Sequence, residues 1–211
     1  MEIFIIIIDF ILNIDVHLGG IIAYWGALSY AILAVIIFAE TGLVFTPFLP
    51  GDSLLFAAGA FSALGSFNIF ALLFSLWAAA FLGDAMNYWL GRYFGQKIIK
   101  NKRIPINQKH IDKTQKFYDK YGGKTIFLAR FVPIVRTFAP FVAGLGKMEY
   151  KKFAGYNAAG GLVWVFGFTL LGYFFGNLPS VKENFSIVII VIIVLSMAPI
   201  FVEMVRARRT K

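Results

Sequence analysis

FLARFVPIVRTFAPFVAG, residues 127–144, decides how this chain can fold. The run is apolar enough to enter a bilayer, but Pro133 and Pro140 each remove a backbone donor and crowd the turn before them. It is therefore expected to break rather than to span as one helix. Arg130 and Arg136 lie on either side of Pro133. At about 100° per residue a six-residue separation turns by roughly 240°, so an unbroken helix points the two guanidiniums apart, whereas a hairpin brings them together. An arginine at membrane depth costs roughly 2.5–3.5 kcal/mol on insertion scales, and broken backbone in lipid leaves N–H and C=O groups unsatisfied. A re-entrant hairpin over about 127–146, lining a polar cavity with two permanent positive charges, meets both demands.

The rest of the chain has the same character. Of 211 residues, 59% are hydrophobic and 15% charged, a balance that excludes an ordinary soluble domain and indicates one compact helical membrane domain. The absence of cysteine excludes disulfides, thiolate metal sites and cysteine nucleophiles. The formal charge of +9 is concentrated rather than spread: between 96 and 124 nine basic residues face only Asp112 and Asp119, and Arg206, Arg208, Arg209 and Lys211 form a basic tail at 206–211. By the positive-inside rule both segments are cytoplasmic. The lysine-bearing helical pattern at 111–118 is expected to face solvent or lipid headgroups, not nucleic acid.

Residues 1–17 carry Glu2 and Asp9 instead of the basic opening of a secretory signal. Their apolar part, 3–14, is too short to span and is expected as an interfacial helix. Residues 18–38 form a first span and run into Glu40. Next, 43–64 is long enough to cross but is interrupted by Pro47, Pro50 and Gly51 around Asp52, which makes it a second hairpin. Residues 69–95, 153–176 and 187–205 are further spans. The expected fold is an all-α integral membrane protein with about four full spans, two opposed re-entrant helical hairpins and the short N-terminal helix. It divides into a first half at 18–95, a basic loop at 96–124 and a second half at 125–176. With both hairpins returning to their own face, the N-terminus, the basic loop and the tail share the cytoplasmic side. One full crossing would part them, whereas two would keep the loop and tail together and move only the N-terminus outside, a model that the prolines and intramembrane charges argue against and the charge distribution alone does not exclude.

The halves also resemble each other. Aligning Ala58-Gly59 with Ala143-Gly144 sets 50–59 against 135–144, and LGRYFG at 90–95 matches LGYFFG at 171–176 in both glycines. In the expected topology the hairpins enter from opposite faces, so the repeat is inverted. Broken segments in corresponding positions of inverted halves point to a transport site near the midplane.

That site would gather Glu40 and Asp52 from the first half with Arg130 and Arg136 from the second. Arginine stays charged and offers forked donors suited to phosphate or carboxylate. A carboxylate beside it has its proton affinity raised by desolvation and lowered by the guanidinium. Such a set suits proton-coupled anion movement. Structural readings compete at each position: Arg130 snorkelling to the cytoplasmic interface, Glu40 and Asp52 capping helix ends, Asp84 and Asn87 hydrogen-bonding between helices, and Trp89 and Arg92 anchoring at the interface. His17 and His110 have no ligand-spaced partners, so no metal is expected. With no H-E-x-x-H, P-loop, nucleophile elbow or dinucleotide fingerprint, neither an enzyme nor a cofactor is expected.

Glu40, the Pro-Gly-Asp at 50–52 followed by LLFAAGAF, the GDAMNYWLGRYFG at 83–95 and the FLARFVPIVRTFAPFVAG at 127–144 together resemble the signature of the DedA family, also called the VTT or SNARE-associated domain family. The resemblance runs over roughly 40–176. It implies paired re-entrant hairpins, inverted repeats and lipid transport. For bacterial members it implies return of undecaprenyl phosphate, the carrier lipid of envelope synthesis, across the cytoplasmic membrane with dependence on the proton motive force; eukaryotic relatives act as phospholipid scramblases. By motif match the family's functional acids fall on Glu40 and Asp52 and its arginines on Arg130 and Arg136. The expected function is thus a proton-coupled polyprenyl phosphate flippase. The alternatives are a non-selective phospholipid scramblase and a proton-coupled ion exchanger that acts on the envelope indirectly. Expected partners are a membrane lipid and protons, with homo-oligomerisation open.

Overall fold

The structure is a computed structural model that describes residues 14–43, 51–100, 108–176, 178–179 and 191. Its regular elements are helical: α1 (Ile14–Trp25), α2 (Ser29–Gly42), α3 (Gly51–Ala63), α4 (Ile69–Lys100), α5 (Gln108–Tyr121), α6 (Thr125–Ala129), α7 (Pro133–Leu145) and α8 (Tyr150–Phe175), with 3₁₀ turns at Gly26–Leu28 and Gly122–Lys124. Three runs among the described residues, His17–Gly42, Ile69–Gly95 and Tyr150–Phe175, are long and apolar enough to cross a membrane. They correspond to the first three expected spans. The fourth, 187–205, lies outside the described residues apart from residue 191, and the tail, the apolar stretch 3–13, Pro47 and Pro50 lie wholly outside them.

The first span is interrupted where a continuous helix was expected. Gly26 takes a φ of 51°, a left-handed conformation that glycine adopts without a Cβ clash. The buried Ser29 hydroxyl then donates to the Ile21 carbonyl at 3.2 Å, in the last turn of α1 where helical donors run out.

Of the two prolines in 127–144, only Pro133 breaks the chain. α6 ends at Ala129, and the Phe131 and Val132 amides donate back to the Leu128 and Ala129 carbonyls at 3.2 and 2.8 Å. Pro133 then opens α7 in the first helical turn, where a missing N–H costs no helical bond. Pro140, expected to break the backbone, instead sits inside α7, which continues to Leu145. The carbonyls around it find donors on other helices. Asn87 Nδ2 donates to the Thr137 carbonyl at 2.9 Å, and the Tyr118 hydroxyl to that of Ala139 at 3.0 Å.

The basic segment is also more ordered than a loop. α4 runs on to Lys100, and α5 lays Tyr118 against a buried cluster of Tyr88, Ile126, Val135, Ala139 and Phe153. Asp112, Gln115, Lys116, Asp119 and Lys120 of α5 are exposed, as the sequence pattern required.

The chain divides into two compact units, 1–34 with 50–76 and 165–211, and 35–49 with 77–164. Each contains the same kind of helix crossing. In the first unit α3 crosses the end of α8: a Cβ on Gly59 would collide with the Thr169 carbonyl, and one on Gly172 with the Phe56 carbonyl. In the second, α7 crosses α4: a Cβ on Gly144 would collide with the Tyr88 carbonyl, and one on Gly91 with that of Phe141. Small residues let helix backbones touch in this way, bringing Cα–H groups against carbonyl oxygens. Gly59 corresponds to Gly144, and Gly91 to Gly172, in the register of the internal repeat. The repeat in sequence is therefore a repeat in packing, with an exchange. The short helix of each half packs on the spanning helix of the other.

Candidate functional site

The site lies in the second unit and begins where α2 meets α4. Gly83 lets the two helices close, since a Cβ there would strike the Thr41 Oγ1 atom and crowd the Phe38 carbonyl. Asn87, one helical turn further along α4, donates to the Thr41 carbonyl at 3.3 Å and to the Thr137 carbonyl at 2.9 Å. It thereby clasps the end of α2 to α7. This brings Glu40 to Arg136, whose Nη2 donates to Glu40 Oε1.

The second arginine is held from the other side. Arg130 Nη1 donates to Asp84 Oδ2 at 2.7 Å and to Asn157 Oδ1 at 3.0 Å. The Asn157 amide nitrogen in turn donates to the Phe81 carbonyl at 3.0 Å, which fixes which end of the amide faces the guanidinium. Arg130 is 5% exposed and Asp84 7%. Burial at this level excludes snorkelling to the interface. Arg130 Nη2 is also buried and has no hydrogen-bond partner among the described residues.

Trp164 joins the two arginines. Its ring is fully buried, and the Arg136 and Arg130 guanidinium carbons lie 4.4 and 5.2 Å from its centroid. Both distances are in the range where the quadrupole of an aromatic face attracts a cation. Gly161 lies on the same face of α8, where a Cβ would make ordinary contact at 3.5 Å with both Arg130 Nη1 and Trp77 Cδ1. A cleft lined by Thr41, Asp84, Ile126, Arg130, Arg136, Thr137 and Pro140 has room, as it stands, for about one water molecule. A phosphate would enter only with some opening. Outside the membrane-spanning helices, burial and then the charge of Asp84 push the Tyr118 hydroxyl above its ordinary pKa, which keeps it a donor to α7.

Three of the four charged residues expected at the site, Glu40, Arg130 and Arg136, thus gather in one unit. Asp52 belongs to the other unit, in the first turn of α3, where a carboxylate complements the helix N-terminus. Gly51 opens that helix. Asn87 hydrogen-bonds between helices as expected, whereas Asp84 forms an ion pair with Arg130. Asn157 and Trp164 were not anticipated. They sit with Gly160 and Gly161 at i, i+3, i+4 and i+7 on α8, a spacing that marks one face of a helix. Arg92, read as an interfacial anchor, reaches the Tyr88 hydroxyl at 3.1 Å, and Trp89 stacks on Tyr93 and Tyr150. Among the described residues no group of His, Cys, Asp or Glu is placed to hold a metal ion.

Comparison with known proteins bears on the same region. The VTT domain matches residues 49–174. The chain is 53% identical to Protein DedA of Escherichia coli (strain K12), over 99% of this chain and 97% of that protein. It is 40% identical to an uncharacterised membrane protein of Mycobacterium tuberculosis (strain ATCC 25618 / H37Rv), over 89% and 87% of the two chains. It is 31% identical to the inner membrane protein YghB of Escherichia coli (strain K12), over 90% and 84%. No solved structure gives a match.

Proposed function

Because this chain belongs to the VTT-domain, or DedA, family of membrane proteins, we propose that it is a carrier that moves undecaprenyl phosphate across the cytoplasmic membrane, coupled to the proton motive force. One observation carries this reading: Arg130 and Arg136, from the two sides of the break at Pro133, reach the same buried cleft over the same Trp164 ring. Two forked, permanently charged donors at one point suit a phosphate headgroup, and the polyprenyl chain stays in lipid. Glu40, already on Arg136, couples binding to release by yielding that bond as the phosphate arrives and reclaiming it as the phosphate leaves. Asp52, in the same half of the sequence as Glu40, is the second coupling or gating carboxylate. α3 and α7 have thirteen residues each, about 20 Å of helix against a hydrocarbon core of about 30 Å, which favours re-entrant hairpins over full spans. The N-terminus and the tail are then cytoplasmic. The activity we propose is transport rather than catalysis.

The test is sided flipping of undecaprenyl phosphate in proteoliposomes with an imposed proton gradient. Wild type is expected to move it, faster with the gradient than without. Arg130→Ala and Arg136→Ala are expected to abolish movement, with ordinary phospholipids unmoved throughout. Equal movement of every lipid without a gradient would instead establish a scramblase, and proton flux without lipid an ion exchanger.

A further inference from the structure

The described cleft is electrically balanced before any substrate arrives. Arg136 faces Glu40, and Arg130 faces Asp84. A phosphate monoester entering this balanced set brings at least one uncompensated negative charge into a space sheltered from water, where that charge is costly unless something nearby changes its own. Arginine cannot gain charge, so a carboxylate must lose it. Within the described cleft the choice is between Glu40 and Asp84.

Two details favour Asp84. Arg130 is the better sealed arginine, its side chain 4% exposed against 13% for Arg136. It also holds a buried Nη2 with no acceptor among the described residues, so an arriving phosphate oxygen gains a donor there before it breaks any bond to them. The next oxygen competes for Nη1, which Asp84 and Asn157 share. Asn157 is neutral and is held by the Phe81 carbonyl, so it stays where it is. The bond that yields is the one to Asp84.

We propose that Asp84 is the group that takes up a proton when a phosphate monoester displaces it from Arg130, which makes it a proton-coupling residue of this cleft. The inference rests on the reading of the cleft as a phosphate site. Among the described residues, the charged and titratable groups that bear on Asp84 are Arg130 from the α6–α7 turn, Arg136 from α7 and Tyr118 from α5, while Glu40 from the end of α2 bears on both arginines and α8 presents the neutral Asn157. With Arg130 and Arg136 both engaged by phosphate, the groups left to bear on Asp84 are a phenol and the phosphate itself. An ionised Asp84 then has no cation to itself, and protonation removes the repulsion. On release of the phosphate Arg130 returns, the proton leaves, and the cleft is balanced again. Each phosphate carried thus takes one proton on and off the same carboxyl.

The experiment is titration calorimetry on the full chain in lipid nanodiscs, with undecaprenyl phosphate and inorganic phosphate as separate probes. Each is run in buffers of differing ionisation enthalpy, so that protons taken up per phosphate are counted. Wild type is expected to take up about one proton more than Asp84→Asn with whichever probe binds, and Glu40→Gln to retain that difference over Asp84→Asn. Binding of inorganic phosphate would show that the headgroup suffices, and binding of the lipid alone that the chain is required; with the proton difference, either supports the inference. Asp84→Asn is also expected to lose the weakening of affinity with rising pH seen in wild type, on the order of tenfold per pH unit where one proton is linked. A second measurement needs no variant: on addition of phosphate, wild type labelled with 13C-aspartate should show a protonated-carboxyl infrared band shifted by the label. Equal proton counts in wild type and Asp84→Asn, or no such band, overturn the inference and leave the phosphate site standing. No binding of either probe to wild type overturns both.

Discussion

At the scale of single residues, the cleft depends on Trp164 as much as on the charges it holds. One ring within 5.2 Å of two guanidiniums offsets part of the repulsion between like charges brought together away from water. Trp164→Leu removes that face and is expected to weaken phosphate binding by roughly tenfold, about 1–2 kcal/mol, while Trp164→Phe, which keeps a weaker π face, retains most of the affinity. Titrations with undecaprenyl phosphate check both, and equal losses in the two variants would reduce Trp164 to a filler of volume. The arginines were legible in the sequence because a charge within an apolar run is costly and demands a reason. Trp164 carries no such mark in a span rich in Phe, Leu and Val. Asp84 was visible as a polar residue in an apolar helix, but its partner stands 46 positions away. No local pattern names that pairing.

At the scale of elements, the same helix shows what sequence does and does not reveal. Pro133 ends one helix and begins another for reasons contained in its own ring, so the break could be read directly. Pro140 sits inside α7 without ending it, and Asn87 and Tyr118 donate to the Thr137 and Ala139 carbonyls from α4 and α5. Those contacts are tertiary and have no local signature. Asn87→Leu removes the donor to both the Thr41 and Thr137 carbonyls and is expected to destabilise the protein by about 1–3 kcal/mol, read as a lower thermal midpoint in detergent. The helix crossings give a sharper contrast. Alanine at Gly91 or Gly172 puts a methyl into a backbone carbonyl that cannot move without its helix, and each is expected to cost at least as much as an overpacked core, about 1–3 kcal/mol. Gly155→Ala, on α8 with nothing within 4 Å of the new methyl, is expected instead to stabilise by about 0.5–1 kcal/mol through helix propensity. Similar melting shifts for Gly155→Ala and Gly172→Ala would remove close approach as the explanation of the matched glycines.

At the scale of the whole chain, the internal repeat was readable as a faint alignment, and its physical basis is the exchange of short helices between halves. The glycines match because each allows a short helix to lie against a spanning helix backbone to backbone. What the alignment could not give is the path through the membrane, which depends on whether the Pro-containing segments return or cross. Charge bears on this directly. From the basic segment at 108–124 to the turn before α8 the chain passes only α6 and α7, of five and thirteen residues, and neither helix alone is long enough to cross. The absence of cysteine makes the question answerable, since any thiol introduced is the sole one. Asp112→Cys and Glu149→Cys, both at exposed positions, are expected to react with an impermeant maleimide from the same, cytoplasmic side of intact and inverted vesicles, and Ser66→Cys, exposed between α3 and α4, from the opposite side. If 112 and 149 label from opposite sides, residues 122–146 cross the membrane. Arg130 and Arg136 would then lie on a spanning segment instead of a hairpin opening to one face, and a headgroup entering the opened cleft could come from either side. If the two label together, the arginines open to the cytoplasmic face alone. On the proposed transport, a lipid from the other leaflet then reaches them only through a change in the protein, and that is the step at which a proton taken up at the cleft drives transport in one direction.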